Sequence, residues 1–318
     1  MAQQMVPAIQ TDKLTKYYGT SRGVVDLDLT VNEGEIFGFL GPNGAGKTTT
    51  IRLLMDLIRP TGGHAHIFGK DTQADSVAIK QQIGYLPGEL ALWPNLTGRQ
   101  TLTYLGNLRG GVDTKRIESL AARLQLDLGK KFREYSKGNK QKVGLIQAIM
   151  HQPRLLILDE PTSGLDPLNQ QEFFTILSEA RKGGATVFLS SHVLSEVEHT
   201  CDRVGIIREG LLVRVGAVRD IVSEKQYRVE LQFGAPVDGT VRQAFAELPG
   251  VQNLAAQDGR LQFVVQGALD PVVKLAAQYP VLSLTSHEPT LEEAFLAYYR
   301  PDGVAPAVEA EKGAGRVA

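Results

Sequence analysis

The sequence predicts an α/β protein whose mostly parallel β-sheet is covered by helices on both faces. Short apolar segments at 36–40, 155–159 and 186–191 resemble strands of a buried sheet, because their apolar residues run on almost without interruption. A helical pattern follows each segment. Strands that alternate with helices favour parallel pairing, since each helix returns the chain to the starting edge of the sheet.

An antiparallel β layer is predicted ahead of this sheet. Apolar and polar residues alternate along Val25, Leu27, Leu29 and Val31, as on a half-buried strand. Gly34 then separates this strand from the buried run that begins at residue 36.

A helical block interrupts the alternation. Thr97–Leu108 and Lys115–Leu126 carry apolar residues at spacings of three and four, which indicates amphipathic helices. From Leu155 the chain returns to strands and helices, with one helix predicted after Pro167 and another from His192. The block is therefore an insertion between two halves of one α/β domain.

The pattern changes after Glu224 to a small α+β unit. Its predicted order, β-α-β-β-α-β, matches a ferredoxin-like arrangement. The predicted strands are 227–233, 251–256, 261–265 and 281–285, and the predicted helices are 238–248 and 270–278. The predicted domains are 1–224, with a helical subdomain at about 88–151, and 225–300.

Two further predictions concern the C-terminal end. A last helix is expected from Thr290, because Thr290 and Glu293 have capping-box spacing. Its apolar stripe is expected to dock on this same chain. Residues 301–318 are rich in Ala, Gly, Pro and charge, which predicts a disordered tail.

The composition narrows the classes of function. The net charge is −1, so no strong overall field favours nucleic acid or anionic lipid. Cys201 is the single cysteine, which rules out an internal disulfide, favours a reducing compartment and is typical of a small core residue. No apolar stretch approaches the ~18 residues of a transmembrane helix, and no secretory signal is recognisable at the N-terminus. Any membrane role is expected to come through a partner.

The strongest motif is the stretch Gly41-Pro-Asn-Gly-Ala-Gly-Lys-Thr48, which fits the P-loop pattern between a buried strand and a helix. Glycines let successive backbone N–H groups turn inward around phosphate, and the helix N-terminus adds a favourable field. Lys47 is expected to reach the β- and γ-phosphates, and the Thr48 hydroxyl to bind Mg²⁺. The predicted nucleotide-binding residues here are Gly41, Pro42, Asn43, Gly44, Ala45, Gly46, Lys47, Thr48 and Thr49. The motif alone leaves kinases, GTPases, helicases and transporter motors open.

A second motif is the apolar run that ends in Asp159-Glu160. A buried strand that ends in a carboxylate presents it at the edge where open α/β sheets bind ligands. Asp159 is therefore predicted to hold Mg²⁺, directly or through water. Glu160 is the natural general base for an attacking water molecule.

The segment Ser136-Lys-Gly-Asn-Lys-Gln141 selects among P-loop proteins. It lies just before a helix and ahead of Asp159, and there the sequence resembles the ABC ATPase family, whose signature motif has this position and shape. The resemblance extends over residues 8–220. It includes the D-loop at residues 163–166, the switch histidine His192 and the aromatic Tyr18, which matches the residue that stacks on adenine in this family.

The resemblance implies a mechanism that needs two chains. ATP with Mg²⁺ is bound by a homodimer whose subunits meet head to tail. Ser136 and the backbone around Gly138 of one subunit close over the γ-phosphate held by Lys47 of the other, next to Asp166 of the D-loop. His192 contacts the γ-phosphate and helps to orient the water. The expected catalytic residues are Lys47, Glu160 and His192.

Two positions depart from the family pattern. Gly88 stands where the family usually has a glutamine, so the usual contact with Mg²⁺ or water is missing and Glu89 or a water is hypothesised to replace it. Lys137 replaces the first usual glycine of the signature, and its side chain is expected to point away from the phosphate.

The C-terminal extension, with the stretch 288–296, resembles ATPases of bacterial multidrug and antibiotic exporters, including the daunorubicin-type branch. The resemblance implies a separate integral-membrane permease and a peripheral position at the cytoplasmic face of the plasma membrane. The loop Pro87–Asn95, with Trp93, is expected to face the permease.

Two alternatives stay open. One is a soluble ABC ATPase that acts on nucleic acid or ribosomes, against which stand the single nucleotide domain, the lack of a long coiled coil and the near-zero net charge. No nucleic-acid partner is therefore expected. The other is a regulatory binding module with weak turnover, against which stands Glu160.

Overall fold

The computed structural model describes residues 6–222 and 226–287. Within them the chain forms two compact units, one ending at Val215 and the other beginning at Gly216. The predicted helix from Thr290 and the predicted tail at 301–318 lie outside the described residues.

The first unit contains two sheets. Its strands are β1 (Ile9–Tyr18), β2 (Ser21–Val31), β3 (Ile36–Leu40), β4 (Gly62–Ile67), β5 (Lys70–Asp71), β6 (Ile83–Leu86), β7 (Leu155–Asp159), β8 (Thr186–Ser191), β9 (Arg203–Arg208) and β10 (Leu211–Ala217). The smaller sheet has the order β2-β1-β4-β5, and its paired strands run antiparallel. This confirms the predicted antiparallel layer, with Leu27, Leu29 and Val31 buried on one face.

The larger sheet has the order β10-β9-β3-β8-β7-β6. The pairs β3–β9, β3–β8, β8–β7 and β7–β6 are parallel, as the alternating pattern predicts. Its central strands are buried on both faces. Phe37 stacks on Phe188 across the β3–β8 pair, with ring centroids 5.9 Å apart. The carboxyl ends of β3, β7 and β8 consequently meet at one edge, where the predicted motifs lie.

The helices of the first unit cover this sheet. They are α1 (Lys47–Leu54), α2 (Ser76–Lys80), α3 (Gly98–Asn107), α4 (Thr114–Arg123), the short 3₁₀ turn Phe132–Glu134, α5 (Lys137–Ile149), α6 (Pro167–Lys182) and α7 (Leu194–Thr200). Thr97 caps α3 and forms a capping box with Gln100.

The prediction that α7 starts at His192 is wrong by two residues. The Ser191 hydroxyl accepts the Val193 N–H and keeps that residue extended, so His192 lies in the connection before the helix.

The helical block is anchored through α5, which packs on β6. Gly84 in β6 permits this approach, since a Cβ there would overlap the carbonyl oxygen of Ala148 in α5. Cys201 ends α7 as a buried residue, and burial raises the pKa of its thiol. The interpretation of Cys201 as a small core residue is confirmed.

The second unit begins at Gly216, within the last residues of β10. It contains α8 (Val218–Val222), β11 (Gln226–Phe233), α9 (Gly239–Ala246), β12 (Val251–Gln257), β13 (Arg260–Gln266), α10 (Asp270–Ala276) and β14 (Val281–His287). The sheet order is β12-β13-β11-β14, and every neighbouring pair is antiparallel. This is the predicted ferredoxin-like arrangement. Phe245 of α9 is fully buried in its separate core, against Phe233 and Phe263.

Among the helices in residues 6–222 and 226–287, none has both the length and the apolar character needed to cross a bilayer.

Candidate nucleotide site

The P-loop connects the end of β3 to the start of α1. Gly44 and Gly46 have φ values of 80° and 112°, a left-handed conformation that suits glycine. Gly46 also has no room for a side chain, because a Cβ would lie 2.7 Å from the carbonyl oxygen of Gly23. The glycines that the motif requires are therefore needed for both conformation and close packing.

Lys47 is buried at the start of α1, and its ammonium points into the mouth of the loop. Nζ donates to the carbonyl oxygens of Gly41 at 2.6 Å and Pro42 at 3.3 Å. It also lies 3.2 Å from Oε1 of Glu160. The structure thus brings the predicted phosphate ligand and the predicted base together across the sheet edge.

Asp159 closes β7 and is almost fully buried. Its Oδ2 accepts a 2.8 Å hydrogen bond from the Thr48 hydroxyl, and its Oδ1 accepts one of 2.6 Å from Ser190. Ser190 is not among the residues predicted from the sequence. It faces Asp159 because the two residues are register partners on neighbouring strands, and an apolar strand that ends in two serines is the signal for it.

The pair Thr48–Asp159 fits Mg²⁺ in chemistry, since a hydroxyl and a carboxylate are the hard oxygen donors that this ion prefers. Among the described residues, no group of three or more His, Cys, Asp or Glu side chains could hold a metal ion.

Glu160 follows directly and has a positive φ of 49°, uncommon for a residue with a side chain. The surrounding hydrogen bonds hold this conformation. The Glu160 N–H donates to the Ser190 hydroxyl at 3.1 Å, and the side-chain amide of Gln141 donates to the carbonyl oxygens of Glu160 at 3.1 Å and Pro161 at 3.0 Å. Gln141 belongs to the signature segment, but the sequence alone assigns it no role. A buried amide on the apolar face of α5 is the signal for it.

His192 completes the cluster. Its Nδ1 lies 2.7 Å from Oε2 of Glu160, whereas its own side chain is 53% exposed. Five predicted residues therefore meet at one edge of the sheet: Lys47, Thr48, Asp159, Glu160 and His192.

The signature and D-loop residues lie on a neighbouring surface. Ser136 caps α5, where its hydroxyl accepts the Asn139 N–H at 3.3 Å. Asp166 caps α6, and its hydrogen bonds from the Asn169 backbone N–H and side chain hold the pKa of its carboxyl below the ordinary value. In the part of the chain that the structure describes, the side-chain hydrogen bonds of Ser136 and Asp166 remain within their own helical turns. The structure does not bring either one into the Lys47–Glu160 cluster.

Gly138 lies directly on the D-loop of the same chain. A Cβ at Gly138 would overlap the carbonyl oxygen of Gly164, which itself has a φ of 80°. The Lys137 side chain lies beside Gly164, with its Cγ 3.4 Å from where a Cβ of Gly164 would be. The aliphatic part of Lys137 therefore packs on the D-loop.

Tyr18 ends β1 beside the P-loop helix. Its ring lies next to Gly23, where a Cβ would be 3.0 Å from the Tyr18 ring and 3.2 Å from the Thr49 methyl group. The ring is half exposed, and the Lys16 ammonium lies 5.5 Å from its centroid. An exposed ring near the first turn of α1 is suited to stacking on a nucleotide base.

Gly88 places backbone, rather than a side chain, near the Asp159 carboxylate. A Cβ at Gly88 would lie 3.1 Å from Oδ2 of Asp159, which is a tight contact. The neighbouring Glu89 is exposed. Farther along this loop, Trp93 is 43% exposed and meets the 46% exposed Tyr104 edge-on, with ring centroids 5.0 Å apart.

The comparisons with known proteins agree with this geometry. The family model described as ABC transporter matches residues 24–163. A bacitracin transport ATP-binding protein of Enterococcus faecalis is 37% identical over 80% of this chain and 83% of its own length. The linearmycin resistance ATP-binding protein of Bacillus subtilis is 32% identical over 91% of this chain and 97% of its own.

Solved structures show the same fold. An ATP-binding subunit of an ABC transporter is 30% identical, with a TM-score of 0.64 over 67% of this chain and 91% of that one. A dimeric bacterial ABC transporter cassette is 23% identical, with a TM-score of 0.60 over 66% of this chain and 99% of that one. With the P-loop, the Asp159–Glu160 pair and these relatives together, the chain belongs to the ABC transporter family as an ATP-binding, ATP-hydrolysing subunit.

Proposed function

We propose that this subunit drives the export of a drug-like or other hydrophobic compound through a separate integral-membrane permease. The names of its relatives support export of antibiotics, since they include bacitracin transport and linearmycin resistance proteins. A probable multidrug transporter ATP-binding protein of Escherichia coli is also 34% identical over 76% of this chain, which spans 41% of that protein. A permease partner implies a peripheral position at the cytoplasmic face of the plasma membrane.

The proposed reaction is attack of water on the γ-phosphorus of ATP. A bond forms from the water oxygen to phosphorus, and the bond to the bridging oxygen of ADP breaks. Glu160 takes the proton, and His192, 2.7 Å away, holds that carboxylate and contacts the γ-phosphate. The Lys47 ammonium leaves its 3.2 Å contact with Glu160 to pair with the β- and γ-phosphates, which leaves the Glu160 carboxylate able to accept the proton.

Thr48 and Asp159 are the proposed holders of Mg²⁺, with Ser190 fixing the second carboxylate oxygen. The ion neutralises charge on the phosphate oxygens when it is bound. The P-loop backbone at 41–46, together with Thr49, cradles the phosphates, and Tyr18 stacks on the adenine base.

The second half of each site is proposed to come from another copy of the chain. Ser136 and the backbone at Gly138 present a helix N-terminus, which suits a γ-phosphate. The side-chain contacts of Ser136 and Asp166 stay within their own turns, which supports a role across a head-to-tail interface rather than in the Lys47 cluster of the same chain. The exposed Trp93–Tyr104 pair is the proposed contact with the permease.

The observation that carries the proposal is the placement of Glu160 between Lys47 and His192. Its test is Glu160→Gln, which keeps the shape and removes the base. We expect the rate of ATP hydrolysis to fall by about a hundredfold or more, the range that general-base catalysis supplies. A dimer should persist on size-exclusion chromatography in ATP and Mg²⁺.

Lys47→Ala is the matched control, since it should lose hydrolysis without forming the ATP-dependent dimer. Normal turnover of Glu160→Gln would remove Glu160 from the role of base. Co-purification of the wild-type chain with ribosomes, rather than with a multi-span membrane protein, would contradict the transport proposal.

A further inference from the structure

Glu196 lies in the first turn of α7, outside the set of residues assigned to nucleotide binding and hydrolysis. Its Oε2 accepts a 2.8 Å hydrogen bond from the hydroxyl of Thr162. Thr162 is buried, in the loop that follows Glu160. The bond therefore joins the loop after β7 to the segment that contains His192.

This bond is the second link between these two segments. The first is the 2.7 Å contact from Nδ1 of His192 to Oε2 of Glu160. With the backbone stretches 160–162 and 192–196, the two links close a ring. The paired ends of β7 and β8 and the Glu160 N–H on the Ser190 hydroxyl already hold the two segments where they leave the sheet. The Thr162–Glu196 bond extends this connection farther into both segments.

His192 has particular need of such support. Its side chain is 53% exposed, so packing alone does not fix its position. The helix that follows has only seven residues, too short to be rigid without tertiary contacts. The position of the imidazole thus depends on how the start of α7 is held.

The surroundings of Glu196 favour a lasting contact. The pKa of its carboxyl is raised, mainly by burial and also by the nearby charge of Glu160, although the Thr162 hydrogen bond lowers it. The nearby Ser191 side chain also lowers the pKa of this carboxyl. Breaking the hydrogen bonds of a partly buried carboxyl costs free energy, because no water replaces them fully. The link to Thr162 is therefore expected to persist.

We propose that Glu196 is a positioning residue for ATP hydrolysis, which holds the His192 segment against the Glu160 loop through the Thr162 hydroxyl. The role assigned to Glu196 is to position other side chains and not to bind nucleotide or Mg²⁺. The inference rests on the proposed roles of Glu160 and His192. It adds a contact that keeps these two side chains in position relative to each other.

Two variants remove the Thr162–Glu196 hydrogen bond, one at each partner, and two conservative variants keep it. Thr162→Val deletes the hydroxyl at nearly constant volume, and Thr162→Ser keeps it. Glu196→Ala deletes the acceptor, and Glu196→Gln keeps an acceptor oxygen. Glu118→Gln is the control for removal of a charge elsewhere. Glu118 is an exposed carboxylate on α4 and is paired with Arg99 of α3.

We expect Thr162→Val and Glu196→Ala each to lower kcat by roughly tenfold, within the hundredfold that a 1 Å misplacement can cost. The Kd for a fluorescent ATP analogue and the Tm should stay at the wild-type values. Thr162→Ser, Glu196→Gln and Glu118→Gln should keep most of the wild-type kcat. The double variant Thr162→Val/Glu196→Ala should be no slower than either single variant, because both remove the same bond.

Wild-type kcat in both deletion variants would overturn the proposal, and so would additive losses in the double variant. A loss in Glu196→Gln as large as in Glu196→Ala would assign the effect to charge instead of to the bond. Losses of ATP affinity or Tm that parallel kcat would indicate a merely structural role. Failure of the proposed hydrolysis mechanism is distinguishable, because it would appear as normal turnover in Glu160→Gln.

Discussion

At the scale of single residues, Asp159 shows how closely the site is packed around one carboxylate. Thr48 donates to one of its oxygens, Ser190 donates to the other, and Gly88 lies close to the oxygen that Thr48 contacts. A side chain at position 88 would start 3.1 Å from Oδ2. The departure from the family's glutamine thus coincides with a position where a Cβ would make a tight contact with Asp159.

Gly88→Ala is expected to weaken the affinity for the Mg²⁺ ion on which hydrolysis depends. The added methyl group forces the Asp159 carboxylate to shift by a few tenths of an ångström, while its hydrogen bonds oppose the shift. The Mg²⁺ concentration for half-maximal ATPase activity should rise by roughly tenfold, as it does when the surroundings of a metal ligand are disturbed. Glu89→Ala is the matched variant. A change in Mg²⁺ dependence there, with none in Gly88→Ala, would assign the task to the Glu89 carboxylate.

The sequence predicts the residues whose chemistry belongs to a spaced motif, such as Lys47, Asp159 and Glu160. It does not predict Ser190 as the partner of Asp159, because the register of two parallel strands decides which hydroxyl faces that carboxylate. The role of Gln141 is missed for a similar reason. Its amide reaches the Glu160 carbonyl only once α5 has packed beside the end of β7.

At the scale of elements, α5 fixes the geometry of two loops. Its first turn carries Ser136 as a cap and Gly138 against the D-loop, and Gln141 holds the backbone after β7. The signature segment therefore has a structural role within its own chain. The sequence predicts the motif-bearing strands and the longer helices to within two or three residues. It does not predict the strands β1, β4, β5 and β10, or the short helices α2 and α8, whose five residues each carry little periodicity.

Gly138→Ala is expected to displace the D-loop, since the added Cβ overlaps the Gly164 carbonyl oxygen and backbone yields less readily than a side chain. The free energy of unfolding should fall by about 1–3 kcal/mol, the usual cost of overpacking. Denaturant unfolding measures it. Gly62→Ala is the control, because a Cβ there makes only an ordinary 3.8 Å contact with Thr15 and should change stability by less than about 0.5 kcal/mol. Equal stabilities of the two variants would contradict the packing described for Gly138.

At the scale of the whole molecule, the two units have separate cores, and every predicted site residue from Tyr18 to His192 belongs to the first. The change of pattern after Glu224 predicts a second unit. The sequence alone misses that compactness already changes near Gly216, because β10 still continues the alternation of the first unit.

Phe245→Ala is therefore expected to destabilise the second unit alone. Phe245 is fully buried among aromatic rings, so its truncation should cost about 3–5 kcal/mol. Calorimetry should show one transition moved to lower temperature, while the ATPase rate of the purified chain stays unchanged. Phe188→Ala, in the core of the first unit, should instead lose stability and ATPase activity together. A loss of activity in Phe245→Ala below its transition would contradict this independence.

The central claim is that each ATP site needs Lys47 of one chain and Ser136 of another. It is tested most directly by mixing two inactive variants, Lys47→Ala and Ser136→Arg, after partial unfolding and refolding together. A mixed dimer contains one intact site, since an unaltered P-loop then faces an unaltered signature. The account predicts recovery of up to about a quarter of the wild-type ATPase rate, because half of randomly formed dimers are mixed. A mixture as inactive as its components would contradict it and would indicate a site complete within one chain.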